Sequence, residues 1–248
     1  MTSRWIPVAA SLVLLAACSA APGRPARGSE ALAPSEVVEF RALYAANCAG
    51  CHGRQGRGGA AAIGLADPVY LAITDDASIR KVTAEGVRGT AMPAFAPSAG
   101  GMLTDAQIDV ITSGIRSWGR PGVVGGANPP PRVATSAGDA GRGQEAFGTY
   151  CASCHGAHGE GGPKGSAITN DSFLALVSDQ GLRTVIIAGR ADLGAPDWRG
   201  YLPGRPVTDQ EVSDVVAWLA SQRIQSPGQP YATPSAAPPR SASNDAAR

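Results

Sequence analysis

The feature that most restricts this chain is a pair of five-residue patterns, Cys48-Ala49-Gly50-Cys51-His52 and Cys151-Ala152-Ser153-Cys154-His155, set 103 residues apart. In each, two thiols three positions apart can bond covalently to the two vinyl groups of one haem, and the histidine that follows then lies under the iron and ligates it. A disulfide within each pair is the other chemistry open to this spacing in an oxidising compartment. It leaves both adjacent histidines without a role. The chain holds five cysteines and three histidines, so the two patterns absorb every cysteine but Cys18 and every histidine but His158. The spacing points to two covalently attached haems c. Cys48, Cys51, Cys151 and Cys154 are the attachment points, and His52 and His155 are the iron ligands.

The repetition continues past the motifs. Glycine-rich loops follow each one, Gly53 to Gly59 and Gly156 to Gly165. A helical stretch is expected next, near Ala77–Gly86 in the first half and near Phe173–Gly189 in the second. Each half then carries a proline loop: Gly86-Val87-Arg88-Gly89-Thr90-Ala91-Met92-Pro93-Ala94-Phe95 against Gly189-Arg190-Ala191-Asp192-Leu193-Gly194-Ala195-Pro196-Asp197-Trp198. Both halves close on a helix opened by a capping box, Thr104-Asp105-Ala106-Gln107 and Thr208-Asp209-Gln210-Glu211. Behind the boxes, Ile108, Ile111 and Ile115 share one helical face, as do Val212, Val215 and Leu219. Further helices are expected before each motif, over Ser35–Asn47 and Gly143–Tyr150. Glycine and proline make up about a fifth of the chain and aromatic residues only 5%, a composition of long loops and a core short of large rings. Each half has about 85 residues, a size at which apolar burial alone is marginal, so a covalently held haem supplies the missing core.

The ends read differently. Residues 1–18 have the pattern of an export signal: Arg4, then a short apolar run from Ile6 to Leu15, then Leu15-Ala16-Ala17-Cys18. Small residues before a cysteine resemble a bacterial lipobox, in which Cys18 would be lipidated and become the first residue of the mature chain. Residues 19–34 are expected to be a flexible tether, 119–138 a Pro/Gly linker containing Pro129-Pro130-Pro131, and 224–248 a disordered tail. The two modules between them span 35–118 and 139–223. The expected location is the periplasmic face of a bacterial membrane, held there by the lipid.

Together these features resemble the class I cytochromes c, in a two-domain, two-haem form covering about residues 35 to 223. The resemblance implies an all-α fold of two tandem cytochrome c-like domains, each wrapped around a covalent haem c. It also implies a methionine from the loop after the middle helix as the second axial ligand. In the first half Met92 stands forty residues after His52, inside Met92-Pro93; Met102 is read as a core filler. In the second half the equivalent position is Ala195, followed by the matching Pro196, and no methionine occurs after residue 102. Alanine cannot bind iron, so the second iron is expected to be five-coordinate or to hold water. His158, Lys164 and Tyr201 are weaker ligand candidates, each read as a loop residue. Trp118, Trp198 and Trp218 are candidates to pack on haem edges, and Trp198 or Arg199 to bond a propionate. Tyr44 and Phe147, four residues before their motifs, are expected to pack the first helix of each half against the haem.

With 21 basic residues against 20 acidic ones, the near-neutral balance argues against a nucleic-acid partner, which needs a basic face. The expected function is electron carriage between periplasmic or membrane redox proteins, membrane oxidoreductases above all. Two alternatives accompany it. One is peroxidase-type or small-molecule chemistry at an open second haem, with Asp192 or Asp197 as the only acid–base groups in that loop. The other is a role as the cytochrome subunit of a respiratory or dehydrogenase complex.

Overall fold

The computed structural model describes residues 32–224. The expected signal segment, Cys18, most of the tether and all but the first residue of the tail lie outside the described residues. The described part falls into two units, 32–37 and 38–224. The first holds one 3₁₀ turn, Pro34–Glu36, in which the Glu36 carboxylate accepts the Ala33 N–H at 3.0 Å.

The second unit is helical. Among the described residues there is no β-strand, only a single bridge between Arg190 and Ala195. Its first half runs α1 Phe40–Asn47, α2 Ala49–His52, α3 Pro68–Ile73, α4 Asp76–Glu85 and α5 Asp105–Arg116. Its second half repeats this as α6 Ala140–Tyr150, α7 Ala152–His155, α8 Asp171–Leu176, α9 Asp179–Ala188 and α10 Asp209–Ser221. The register holds at 103 residues as far as Phe95 and Trp198. Each of these donates its N–H to the equivalent carbonyl, Ala84 in one half and Ile187 in the other. One extra residue then precedes the last helix.

Capping sets the boundaries. Thr104 and Thr208 form the expected boxes with Gln107 and Glu211. Two expectations need correction. The stretch Phe173–Gly189 is two helices, because Val177 is extended and Ser178 caps a new start by accepting the Gly181 N–H. The helix expected over Ser35–Asn47 is α only from Phe40, where the Glu39 carboxylate accepts the N–H groups of Arg41 and Ala42. Helix α3 is not expected, nor is α8 as a helix of its own, although Asp67 before Pro68 and Asn170 before Asp171 are N-cap signals, and both side chains cap as such.

The first and last helices of each half pack together, with their buried faces as expected: Ile108, Ile111 and Ile115 on α5, Val212, Val215 and Leu219 on α10. The two crossings use one solution inverted. On α1 the Phe40 ring lies against Gly114 of α5, so close that a Cβ there would stand 2.1 Å from the ring. At the equivalent positions the large and small residues are exchanged: Gly143 of α6 lies under Trp218 of α10 and against the Asp214 carbonyl. Tyr44 meets Trp118 edge-on at 5.0 Å, and Phe147 meets Trp218 at 4.4 Å. Tyr44 and Phe147 thus pack on the tryptophans at the end of their own half. Asp214, 3% exposed, accepts from Nε and Nη2 of Arg142, the Asp139 N–H and Gln210. The segment 119–138 is held by Arg183. This buried side chain donates to the carbonyls of Pro131 and Arg132, to Ser213 and to Asp209.

Candidate haem sites

Each Cys-x-x-Cys-His pattern is one helical turn, α2 or α7, entered from the preceding helix at its first cysteine. The N–H groups of Cys51 and His52 close on the Cys48 carbonyl, and those of Cys154 and His155 on Cys151. The turn brings both thiols and the histidine to one side of the chain. None of the four cysteines is in a disulfide. Burial, then the neighbouring cysteine, pushes the Cys48 thiol up to about 11 and the Cys151 thiol up to about 12. A redox-active Cys-x-x-Cys pair needs a thiolate held below the ordinary range. The first cysteine of each pair is moved the other way.

The histidines are oriented from behind. His52 Nδ1 lies 3.2 Å from the Ile63 carbonyl and His155 Nδ1 lies 2.7 Å from that of Ser166. A carbonyl only accepts, so the proton sits on Nδ1 and the Nε2 lone pair is left for a metal. Burial, with a lesser contribution from the Arg190 charge, holds His52 below its ordinary pKa, which keeps it neutral and ready to ligate. The loops press closely. A Cβ on Gly165 would stand 2.9 Å from His155 Nδ1, and one on Gly59 only 2.1 Å from the Cys51 carbonyl. Among the described residues no three His, Cys, Asp or Glu side chains converge on a point where a bare ion could sit. The donor set suits a flat ligand that is gripped by two thiols and carries its own metal.

The two proline loops follow one backbone path. In the first half, Gly86 takes φ +67° where a Cβ would strike the Pro93–Ala94 peptide; the Val87 N–H bonds the Met92 carbonyl, and Thr90 Oγ1 accepts the Met92 N–H. In the second, Gly189 takes φ +74° against Pro196, and Arg190 and Ala195 exchange both backbone bonds at 3.0 Å. Half-buried Met92 and Ala195 therefore occupy one position of one loop.

The other candidates are dispersed. Met102 is 91% exposed, so its reading as a core filler is wrong: it follows Gly100 and Gly101 on an outward turn, and Leu103 takes the buried place. His158 and Lys164 are exposed. Tyr201 donates to the Ile186 carbonyl at 2.9 Å, and burial raises its pKa. Trp198 is 2% exposed, with the Arg199 guanidinium stacked on it at 4.5 Å and bonded to Asp197. Asp192 is paired with Arg190 and Asp197 with Arg199, so both loop carboxylates are held in ion pairs.

Comparison with known proteins fits this geometry. The family model for the cbb3-type cytochrome c oxidase subunit III matches residues 35–113, and the cytochrome c model matches residues 140–223. This chain is a two-domain class I cytochrome c. Its cofactors are two covalently bound haems c. The cytochrome is 33% identical over 131 residues to the Azospirillum cbb3-type cytochrome c oxidase subunit CcoP, a match covering 49% of this chain and 40% of that one. It is 29% identical over 189 residues to the cytochrome bc1 complex cytochrome c subunit of Mycobacterium bovis, covering 71% of this chain and 60% of that one. It thus spans less than two thirds of the length of either relative. A chain of the Kuenenia stuttgartiensis reducing HAO-like protein complex is 17% identical with a TM-score of 0.42, over 78% of this chain and 100% of that one.

Proposed function

We propose that this cytochrome transfers electrons, one at a time, between redox proteins, and that its two sites differ in ligation. Cys48, Cys51 and His52 hold the first haem, and Met92 supplies its sixth ligand. Cys151, Cys154 and His155 hold the second, and Ala195 supplies none. The haem, when bound, provides a one-electron couple whose potential a thioether ligand raises. The protein's part is to orient His52 and His155 through the Ile63 and Ser166 carbonyls. The observation that carries the reading is that Met92 and Ala195 stand at one position of one loop, each backbone-bonded to the residue after its turn glycine.

The matches to oxidase and bc1 subunits support a respiratory membrane complex as the redox partner, and they favour lasting association over brief encounters. Cys18 as a lipid-bearing first residue of the mature chain would hold the cytochrome at the periplasmic membrane face. No helix among the described residues is long and apolar enough to cross a membrane.

Carbon monoxide titration of the reduced, two-haem protein tests the ligation. One equivalent bound per chain is expected, at the second site. None would mean that another residue ligates there, and two would remove Met92 as a firm ligand; either result overturns the assignment.

A further inference from the structure

Arg190 is the second-half counterpart of Val87, each following the turn glycine of its loop. Val87 bonds only within that loop of its own half, to Met92 and Thr90. Arg190 keeps the backbone bonds and sends its buried side chain into the other half. Its Nη1 donates to the carbonyls of Ala61 at 2.6 Å and Ala62 at 3.2 Å, and its Nη2 to that of Gly59 at 3.1 Å. Its Nε and Nη2 also donate to the two oxygens of Asp192, at 2.8 and 2.9 Å. This uses every N–H of the guanidinium. Asp192 in turn accepts the Gly58 N–H at 2.9 Å. The segment so held is the one that orients the first histidine. The Ala61 N–H bonds the Cys51 carbonyl, and the Ile63 carbonyl takes His52 Nδ1. The matching loop of the second half closes on itself instead, Gly162 N–H to Gly165 carbonyl, with Pro163 and Lys164 exposed.

We propose that Arg190 is a positioning residue for the first haem: the second-half loop that lacks a methionine serves as a clamp on the segment behind His52, and so sets the redox behaviour of the neighbouring site. This rests on His52 being the first haem's ligand. The charge and solvation effects of losing Arg190 share one sign, whereas a loosened Ile63 carbonyl makes His52 a weaker donor and acts the other way, by less. A cation beside the site disfavours the more positive ferric state, so its removal favours ferric. An Asp192 left without its partner adds to this. Water admitted behind His52 does the same, since it solvates the more charged form.

The test is a redox titration of the holo protein, followed optically as two one-electron waves. Met92→His identifies the first haem's wave by moving it, and carbon monoxide identifies the second's. Arg190→Ala is expected to shift the first wave downward by about tenfold in the oxidised-to-reduced ratio at fixed ambient potential, about 59 mV for one electron. The second wave should move less, although Arg190 lies in the second half. Arg190→Lys, which keeps the charge and loses the fork, should shift the first wave less. Asp192→Asn keeps the carbonyl bonds, removes a negative charge and should shift the first wave upward. A purely structural contact would not give opposite signs. Equal movement of both waves, movement of the second alone, or no movement overturns the proposal. If Arg190→Ala does not yield holo protein, the Asp192→Asn shift decides. If Met92→His moves neither wave, the Met92 assignment falls, and the clamp is still judged by the opposite signs on the wave that carbon monoxide leaves in place.

Discussion

Gly143→Ala should destabilise the second half although it improves helix propensity. The added Cβ would stand 2.0 Å from the Asp214 carbonyl oxygen, 2.6 Å from its carbon and 2.8 Å from the Trp218 Cβ. The first two are backbone atoms of α10, so no rotamer change relieves the clash; α6 and α10 must separate. Gly148, on the same helix, has nothing within 4 Å of its would-be Cβ. An alanine gains about 1 kcal/mol of helix propensity over glycine at either position. That gain cancels in the difference between the two variants, which leaves the overpacking cost of about 1–3 kcal/mol or more. Gly148→Ala should therefore be more stable than the parent by up to about 1 kcal/mol, and Gly143→Ala less stable than Gly148→Ala by about 1–3 kcal/mol. The assay is denaturant unfolding of the holo protein, followed by far-ultraviolet circular dichroism, on the three chains side by side. Equal stability of the two variants would refute the argument that backbone contact at this crossing requires glycine.

Two further outcomes follow from the same geometry. Ala195→Met places a thioether at the position of Met92 in an equivalent loop, so carbon monoxide binding to the reduced protein should fall from one equivalent toward none. Asp214 is held below the usual carboxylate pKa, first by Arg142 and then by the Asp139 N–H and Gln210, against the opposing effect of burial. A group whose folded pKa is depressed contributes stability above its unfolded value of about 3.9 and loses that contribution as pH falls through the folded value. The unfolding midpoint should therefore drop as pH is lowered below about 4, and Asp214→Asn should flatten that dependence.

Much of the site was legible because haem attachment is a local demand. Two thiols and a histidine must share one turn, so their spacing is written in consecutive residues, and α2 and α7 form as that spacing requires. Capping is local too, which is why the boxes at Thr104 and Thr208 could be read at once. The break at Ser178 is equally local, and there the run of apolar residues across Phe173–Gly189 masked the cap. Met102 went wrong for another reason. A methionine is apolar wherever it stands, and only the turn at Gly100 and Gly101 decides that it faces outward while Leu103 faces in.

Residue order thus carries the all-helical class, the doubled module, the two haems and the contrast between Met92 and Ala195, since each depends on neighbours within a turn or on one residue's chemistry. Three features needed the tertiary structure. They are the inverted pairing of Phe40 with Gly114 and Gly143 with Trp218, the hold of Arg183 on the 119–138 segment, and the reach of Arg190 to carbonyls some 130 residues earlier. Backbone carbonyls are present in every residue and leave no mark in a sequence, so an arginine that binds them is indistinguishable from a solvated one until the fold brings the two together.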